Sequence, residues 1–97
     1  MTKITAAITA IGSYVPDFVL SNQVLETLVD TNDEWITTRT GIKERRLLKE
    51  EGKGTSYMAI KAALNLLEKA NLDPKEIDLV IMATATPDMP VASTGVY

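Results

Sequence analysis

The chain of 97 residues has no cysteine and no histidine. Without cysteine there is no disulfide framework, no thiolate metal site and no thiol nucleophile. Without histidine the commonest general base is missing, and with it most zinc sites and most nucleophile-activating arrangements. Aromatic residues make up only 5%, with one Trp and one Phe, so a stacking surface has few possible sources. The longest apolar run, Leu79 to Ala83, is far too short to span a bilayer. The N-terminus carries no apolar core of signal-peptide length, and a soluble cytoplasmic protein is the expectation. Positive charge is also short. A net charge of −3 argues against nucleic acid as a bulk partner.

What is present concentrates between Thr31 and Arg46, which hold the single Trp and all of the arginines. A short helix is marked here at both ends. Asp33 is a candidate N-cap, and Thr31 with Glu34 three residues later offers an alternative capping box. Gly41 suits the left-handed residue that ends a helix. Trp35 and Arg39, four apart, share one face, while Ile36 and Thr40 are expected to face the body of the protein. An indole beside a guanidinium offers a flat surface for a planar heterocycle and a forked donor for phosphate. Lys43, Arg45 and Arg46 would add positive field, diluted by Glu44. The alternative is a structural pair, with Trp35 a core anchor and Arg39 bonded to a nearby carboxylate.

Along the rest of the chain, Ile4 to Ile11 alternates with period two and is small or apolar on both faces, which predicts an interior strand. Gly12-Ser13 ends it, and Tyr14 to Asp17 turns the chain. Asn22 is the expected cap of a short helix, Gln23 to Val29, with Val24, Leu25, Leu28 and Val29 as its apolar stripe. Ile42 to Leu48 reads as a charged edge ribbon, and Lys49 to Gly54 as a loop that lacks the Walker pattern. Thr55 or Ser56 would cap a long helix running to about Asn71. Its expected buried stripe is Ala59, Ala62, Ala63, Leu66, Leu67 and Ala70, with Lys61, Asn65, Glu68 and Lys69 outside. Asp73-Pro74 starts a brief helical turn. Ile77 to Thr84 predicts a second central strand, completing a right-handed βαβ unit. Thr86 to Val91 is then a loop at the carboxyl end of that strand, where α/β sheets place ligands, and Ser93 caps a further helix.

The run Asp33-Glu34-Trp35-Ile36-x-x-Arg39-Thr40-Gly41-Ile42-x-x-Arg45 resembles the signature near the N-terminus of the β-ketoacyl-[acyl-carrier-protein] synthase III family. Gly12-Ser13-Tyr14-Val15-Pro16, Asn22 and the segment Leu79 to Thr84 extend the resemblance over the whole chain. It implies an α/β architecture: residues 1–97 as the N-terminal part of a thiolase-like synthase domain, a central mixed sheet with helices on both faces, incomplete in this chain. It also implies a fatty-acid-initiating acyltransferase that joins a short acyl-CoA, acetyl-CoA being the expected primer, to malonyl-ACP with loss of CO₂. The implied partners are acyl-CoA, acyl carrier protein and a second subunit of a homodimer. Coenzyme A enters as a thioester substrate, and no cofactor is expected.

By the same resemblance Trp35 stacks on the adenine of coenzyme A, Arg39 binds the adenine or phosphate end, and Thr31 assists with a hydrogen bond. Met89-Pro90-Val91 belongs to a loop that reaches across the dimer. Val91, small where an aromatic residue can stand, would admit a longer or branched primer. The family's Cys, His and Asn all fall beyond Tyr97, so no catalytic residue is assigned here. The expectation is a truncated chain, inactive in condensation by itself. Two other readings fit these residues: a non-catalytic module that binds a nucleotide or partner through the Trp35–Arg39 face, and part of another thiolase-fold condensing enzyme of secondary metabolism.

Overall fold

The computed structural model describes residues 3–89, in two compact units: residues 15–53, and residues 3–14 together with 54–89. The expectations for Val91 and Ser93 lie outside the described residues.

The unit Val15–Lys53 is built from strand β1 (Phe18–Ser21), helix α1 (Asn22–Leu28), helix α2 (Asp33–Thr40) and strand β2 (Glu44–Leu47). β1 and β2 pair antiparallel, Phe18 opposite Leu47 and Ser21 opposite Glu44. The ribbon read from Ile42 to Leu48 is therefore present as β2, but its partner β1 was missed. Phe18-Val19-Leu20 is too short to show a period, and the residues that define it as a strand lie far along the chain. The Arg46 guanidinium donates to the Pro16 carbonyl at 3.1 Å, and the Lys49 ammonium sits 4.1 Å from the centre of the Phe18 ring.

The cap of α1 is Ser21, whose hydroxyl accepts from the Val24 amide at 3.3 Å. Asn22, the expected cap, is instead the first helical residue, and it has no exposed surface at all. The stripe expected to be buried on α1 is mostly in the open, since Val24, Leu28 and Val29 are exposed. Helix α2 is capped by Asn32, whose side chain accepts from the Trp35 amide at 2.7 Å, and by neither Asp33 nor a Thr31–Glu34 box. The reason is geometric. A capping side chain must come from the extended residue just before the first turn, and Asn32 holds that place with φ −147° and ψ 160°. Gly41 ends the helix at φ 73°, as its position predicts. Ile36 is buried as expected, but Thr40 is exposed, its hydroxyl donating to the Ile36 carbonyl and accepting from the Ile42 amide.

The second unit is organised on helix α3 (Thr55–Ala70), which ends on Asn71 in the left-handed region at φ 52°. A 3₁₀ turn, Pro74–Glu76, follows under a capping box from Asp73 and Glu76, in line with the expected turn. On α3 the residues Ala59, Ala62, Leu66, Leu67 and Ala70 are half-buried, whereas Ala63 is exposed. Asn65, expected outside, is half-buried because its carbonyl oxygen accepts from the Ser13 amide at 3.2 Å. At Gly12 the chain crosses α3 beside Ala62 and Leu66, and the missing side chain is what lets it come so near. The ring of Tyr14 packs edge-on against Tyr57, with centres 6.0 Å apart.

The two expected central strands are not strands among the described residues, where β1–β2 is the sheet. A strand exists only as a member of a ladder, and neither Ile4 to Ile11 nor Ile77 to Thr84 is laddered. Their apolar side chains stand in the open: Ile4 is 99% exposed, Ile8 87%, Leu79 75% and Ile81 82%. The βαβ unit predicted from the pattern is therefore represented by its helix.

Contact at Gly12 is closer than any side chain permits. A β-carbon there would lie 2.6 Å from the Leu66 nitrogen and 2.7 Å from the Ala62 carbonyl oxygen, both main-chain atoms that cannot swing aside. Gly12→Ala is expected to destabilise the protein by about 1–3 kcal/mol through overpacking. Urea denaturation measures it, and an unchanged midpoint would show that the segment does not rest on α3.

Candidate functional site

Helix α2 carries the candidate site because its two faces do different work. The inner face holds Ile36, buried, and Asp33 and Thr37, half-buried. The outer face holds Trp35, 53% exposed, with the Arg39 guanidinium 4.8 Å from the ring centre. A guanidinium over an indole at that distance is a cation–π contact, and the four-residue spacing brings the two together as the sequence predicts. Among the described residues no ion pair engages Arg39. Neither structural alternative is realised: the indole is no core anchor, and the guanidinium is not bonded to a carboxylate.

Two hollows share the indole. The larger, about 530 Å³, is open and is lined by Asn32, Glu34, Trp35, Thr38 and Arg39. The smaller, about 170 Å³, is lined by Asp30, Thr31, Asn32 and Trp35. Thr31 thus shares a hollow with the Trp35 ring, and the three candidate residues of this region, Thr31, Trp35 and Arg39, lie around the two hollows that the indole lines. Sequence reasoning missed Glu34, Thr38 and Asn32 as lining residues. The i, i+3 and i+4 relations of Thr38 to Trp35 and of Glu34 to Thr38 were available signals. A planar heterocycle can lie on the indole, while Arg39 offers its donors to an anionic group.

Two of the three cations expected to reinforce Arg39 are employed elsewhere. Arg45 donates to the Asn22 side-chain oxygen at 2.7 Å and reaches the Leu20 carbonyl, and Arg46 bonds to Pro16. Lys43 remains exposed. The anion-attracting field over the hollow is therefore that of Arg39, opposed by Glu34. Among the described residues no acidic cluster is arranged for a metal ion.

The loop after residue 84, a ligand-bearing position by sequence, is tied to the start of α3. Gly54, the N-cap, has no side chain with which to satisfy the first turn. Asp88 supplies a carboxylate instead, accepting from the Ser56 amide at 2.8 Å and from the Ser56 hydroxyl. The Thr55 hydroxyl donates to the Thr86 carbonyl. This replaces the cap expected from Thr55 or Ser56; both hydroxyls are donors to the loop. The Ser56 hydroxyl, then the Ser56 amide and a smaller contribution from the Thr55 amide hold the Asp88 carboxyl below its ordinary value of 3.8, with burial acting weakly the other way.

Three comparisons bear on this geometry. No family model matches the chain. The β-ketoacyl-[acyl-carrier-protein] synthase III of Phocaeicola vulgatus is 60% identical over 95 residues, covering 98% of this chain and 28% of that protein. A crystal structure of 3-oxoacyl-[acyl-carrier-protein] synthase III from Aquifex aeolicus matches with a TM-score of 0.80 and 54% identity, covering 90% of this chain and 28% of the other. The priming β-ketosynthase of the R1128 polyketide pathway matches with a TM-score of 0.65 and 36% identity, over 80% of this chain and 25% of its own. The fold is that of the N-terminal part of a thiolase-like condensing enzyme. Along that part the chain is a homologue of the β-ketoacyl-[acyl-carrier-protein] synthase III family, and it spans 28% of the length of the P. vulgatus relative.

Because the Asp88 carboxyl is depressed, its contribution to stability is complete above the ordinary carboxylate value and is lost as pH falls through the lower folded value. The side-chain carboxyl carbon of Asp88, followed by NMR, is expected to titrate below 3.8 in the wild type. In Ser56→Ala the midpoint should move up toward the ordinary value. A wild-type midpoint at or above that value would contradict the capping role.

Proposed function

We propose that the chain serves as the coenzyme-binding N-terminal part of a longer condensing enzyme, which joins a short acyl-CoA, acetyl-CoA as the expected primer, to malonyl-ACP with loss of CO₂. The carrying observation is the open indole with the Arg39 guanidinium on it and Thr31 in the adjoining hollow. In this reading Trp35 stacks on the adenine of coenzyme A, Arg39 takes the adenine or phosphate end, and Thr31 adds a hydrogen bond. These residues hold and orient the thioester, while the nucleophile, its His and its Asn lie beyond Tyr97. Identity with named synthases supports the acyltransferase assignment and, with it, acyl-CoA and acyl carrier protein as partners.

The bare apolar segments support a longer working polypeptide. Side chains such as Ile4, Ile8, Leu79 and Ile81 need cover on a scale that α3 alone does not provide. In the proposed enzyme that cover comes from further sheet and helix layers, and the working unit is a cytoplasmic homodimer. No described helix is long and apolar enough to cross a membrane. The role proposed for Val91, lining an acyl pocket at the dimer, rests on the family resemblance. Similarity to a polyketide priming synthase favours one second reading, a condensing enzyme of secondary metabolism that uses the same coenzyme face.

Stacking of a base on an aromatic side chain is worth about 1–3 kcal/mol. Trp35→Ala in the full-length synthase is therefore expected to raise the KM for acyl-CoA by about 5- to 150-fold with the fold intact. A normal KM would remove the indole from the binding site. The chain of 97 residues alone is expected to show no condensation in an assay with acetyl-CoA and malonyl-ACP; measurable turnover would contradict the division of labour.

A further inference from the structure

We infer that the buried carboxamide of Asn22 is the positioning group of the coenzyme face, fixing the roll of helix α2 so that Trp35 and Arg39 point outward. This rests on the proposed coenzyme-binding role of those two residues. Asn22 has no exposed surface, and its side-chain nitrogen, side-chain oxygen and main-chain amide are all hydrogen-bonded. Its Nδ2 donates to the Asp33 carboxylate at 2.8 Å and to the Ile42 carbonyl at 2.7 Å, with the Thr37 hydroxyl at 3.5 Å. Its Oδ1 accepts from Arg45 at 2.7 Å, and its main-chain amide donates to the Lys43 carbonyl at 3.0 Å.

One side chain thereby grips α2 at its first residue and just past its last. That grip matters because α2 has little else to hold it. Ile36 is its one buried apolar side chain, and a single apolar contact does not set the rotation of a helix about its own axis. A slip of one residue turns a helix by about 100°, enough to take Trp35 and Arg39 off the open side. Asp33 and Thr37 lie one turn apart on the face away from the indole, and the Thr37 hydroxyl also donates to Asp33 at 3.1 Å. The Glu26 carboxylate accepts from the Asp33 amide at 2.6 Å, which holds the same residue from α1.

The test is Asn22→Asp in the full-length synthase. Aspartate has the same shape and keeps the acceptor for Arg45, but it removes both donors and sets a second carboxylate against Asp33. The charged groups facing the position are Asp33 from α2 and Arg45 from β2, with Glu26 on α1 behind Asp33. The KM for acyl-CoA is expected to rise about ten-fold, a typical cost of misplacement, with kcat at saturating primer unchanged. The defect should ease as pH is lowered, because a proton shared by two adjacent carboxyls restores a donor. Wild-type KM should show no such trend.

If Asn22→Asp does not fold, the exchange Asn22→Asp with Asp33→Asn returns a donor and an acceptor to the same two positions. It should recover both the fold and most of the acyl-CoA affinity. A folded Asn22→Asp with wild-type KM at every pH overturns the inference, as does loss of kcat in step with KM. An exchange variant that folds without recovering KM also overturns it. Should Trp35→Ala leave KM unchanged, the coenzyme-binding reading itself fails; a raised KM there with a silent Asn22→Asp sinks only the positioning role.

Discussion

A carboxamide sealed from water has to find every hydrogen bond within the protein, and each one missed costs about 1–3 kcal/mol. Asn22, at the start of α1, meets that demand by drawing groups from α2, β2 and the α2–β2 connection onto one point. The consequences spread outward. Asp33 turns inward to Asn22, which leaves the capping of α2 to Asn32 and to Glu26. Arg45 is drawn to the Asn22 oxygen, so its charge is directed to the interior. What remains for the outer face of α2 is an indole, one guanidinium and the polar residues around them.

That outer face costs the free protein something. Half of a tryptophan is left in water, and the guanidinium on it meets no carboxylate among the described residues. Such a surface suits a ligand with a flat ring at one end and negative charge nearby, which is the chemistry of the coenzyme A proposed for it. Glu34 at the rim fits a site that receives the ring and one anionic group and disfavours a highly charged patch. The unit centred on α3 tells a complementary story. Its helix is well formed and capped from a distance by Asp88, yet the apolar segments on either side of it in sequence stand uncovered.

Local chemistry was legible in the sequence. The end of α2 at Gly41, the 3₁₀ turn after Asp73, the extent of α3 and the shared face of Trp35 and Arg39 all depend on residues a few positions apart. What was not legible depends on distant partners. Asn22 looked like a helix cap because its burial is decided by Asp33, Ile42 and Arg45, three separate places further along the chain. Asp88 looked like a loop residue because the amide it caps belongs to Ser56. The apolar runs Ile4 to Ile11 and Ile77 to Thr84 carry a strand pattern, but a pattern states only what a segment can do once another backbone lies beside it. The fold class came from the resemblance more than from periodicity, and solved synthase structures bear it out.

The central claim is that the base of coenzyme A lies on the indole of α2. In the full-length synthase the Trp35 indole protons are identified by their disappearance from the NMR spectrum of Trp35→Phe. In the full-length synthase with bound coenzyme A, nuclear Overhauser effects should connect the adenine H2 and H8 protons to the Trp35 ring. Bound coenzyme A whose adenine shows no such effect, with the Trp35 signals unmoved from the free protein, would contradict the account.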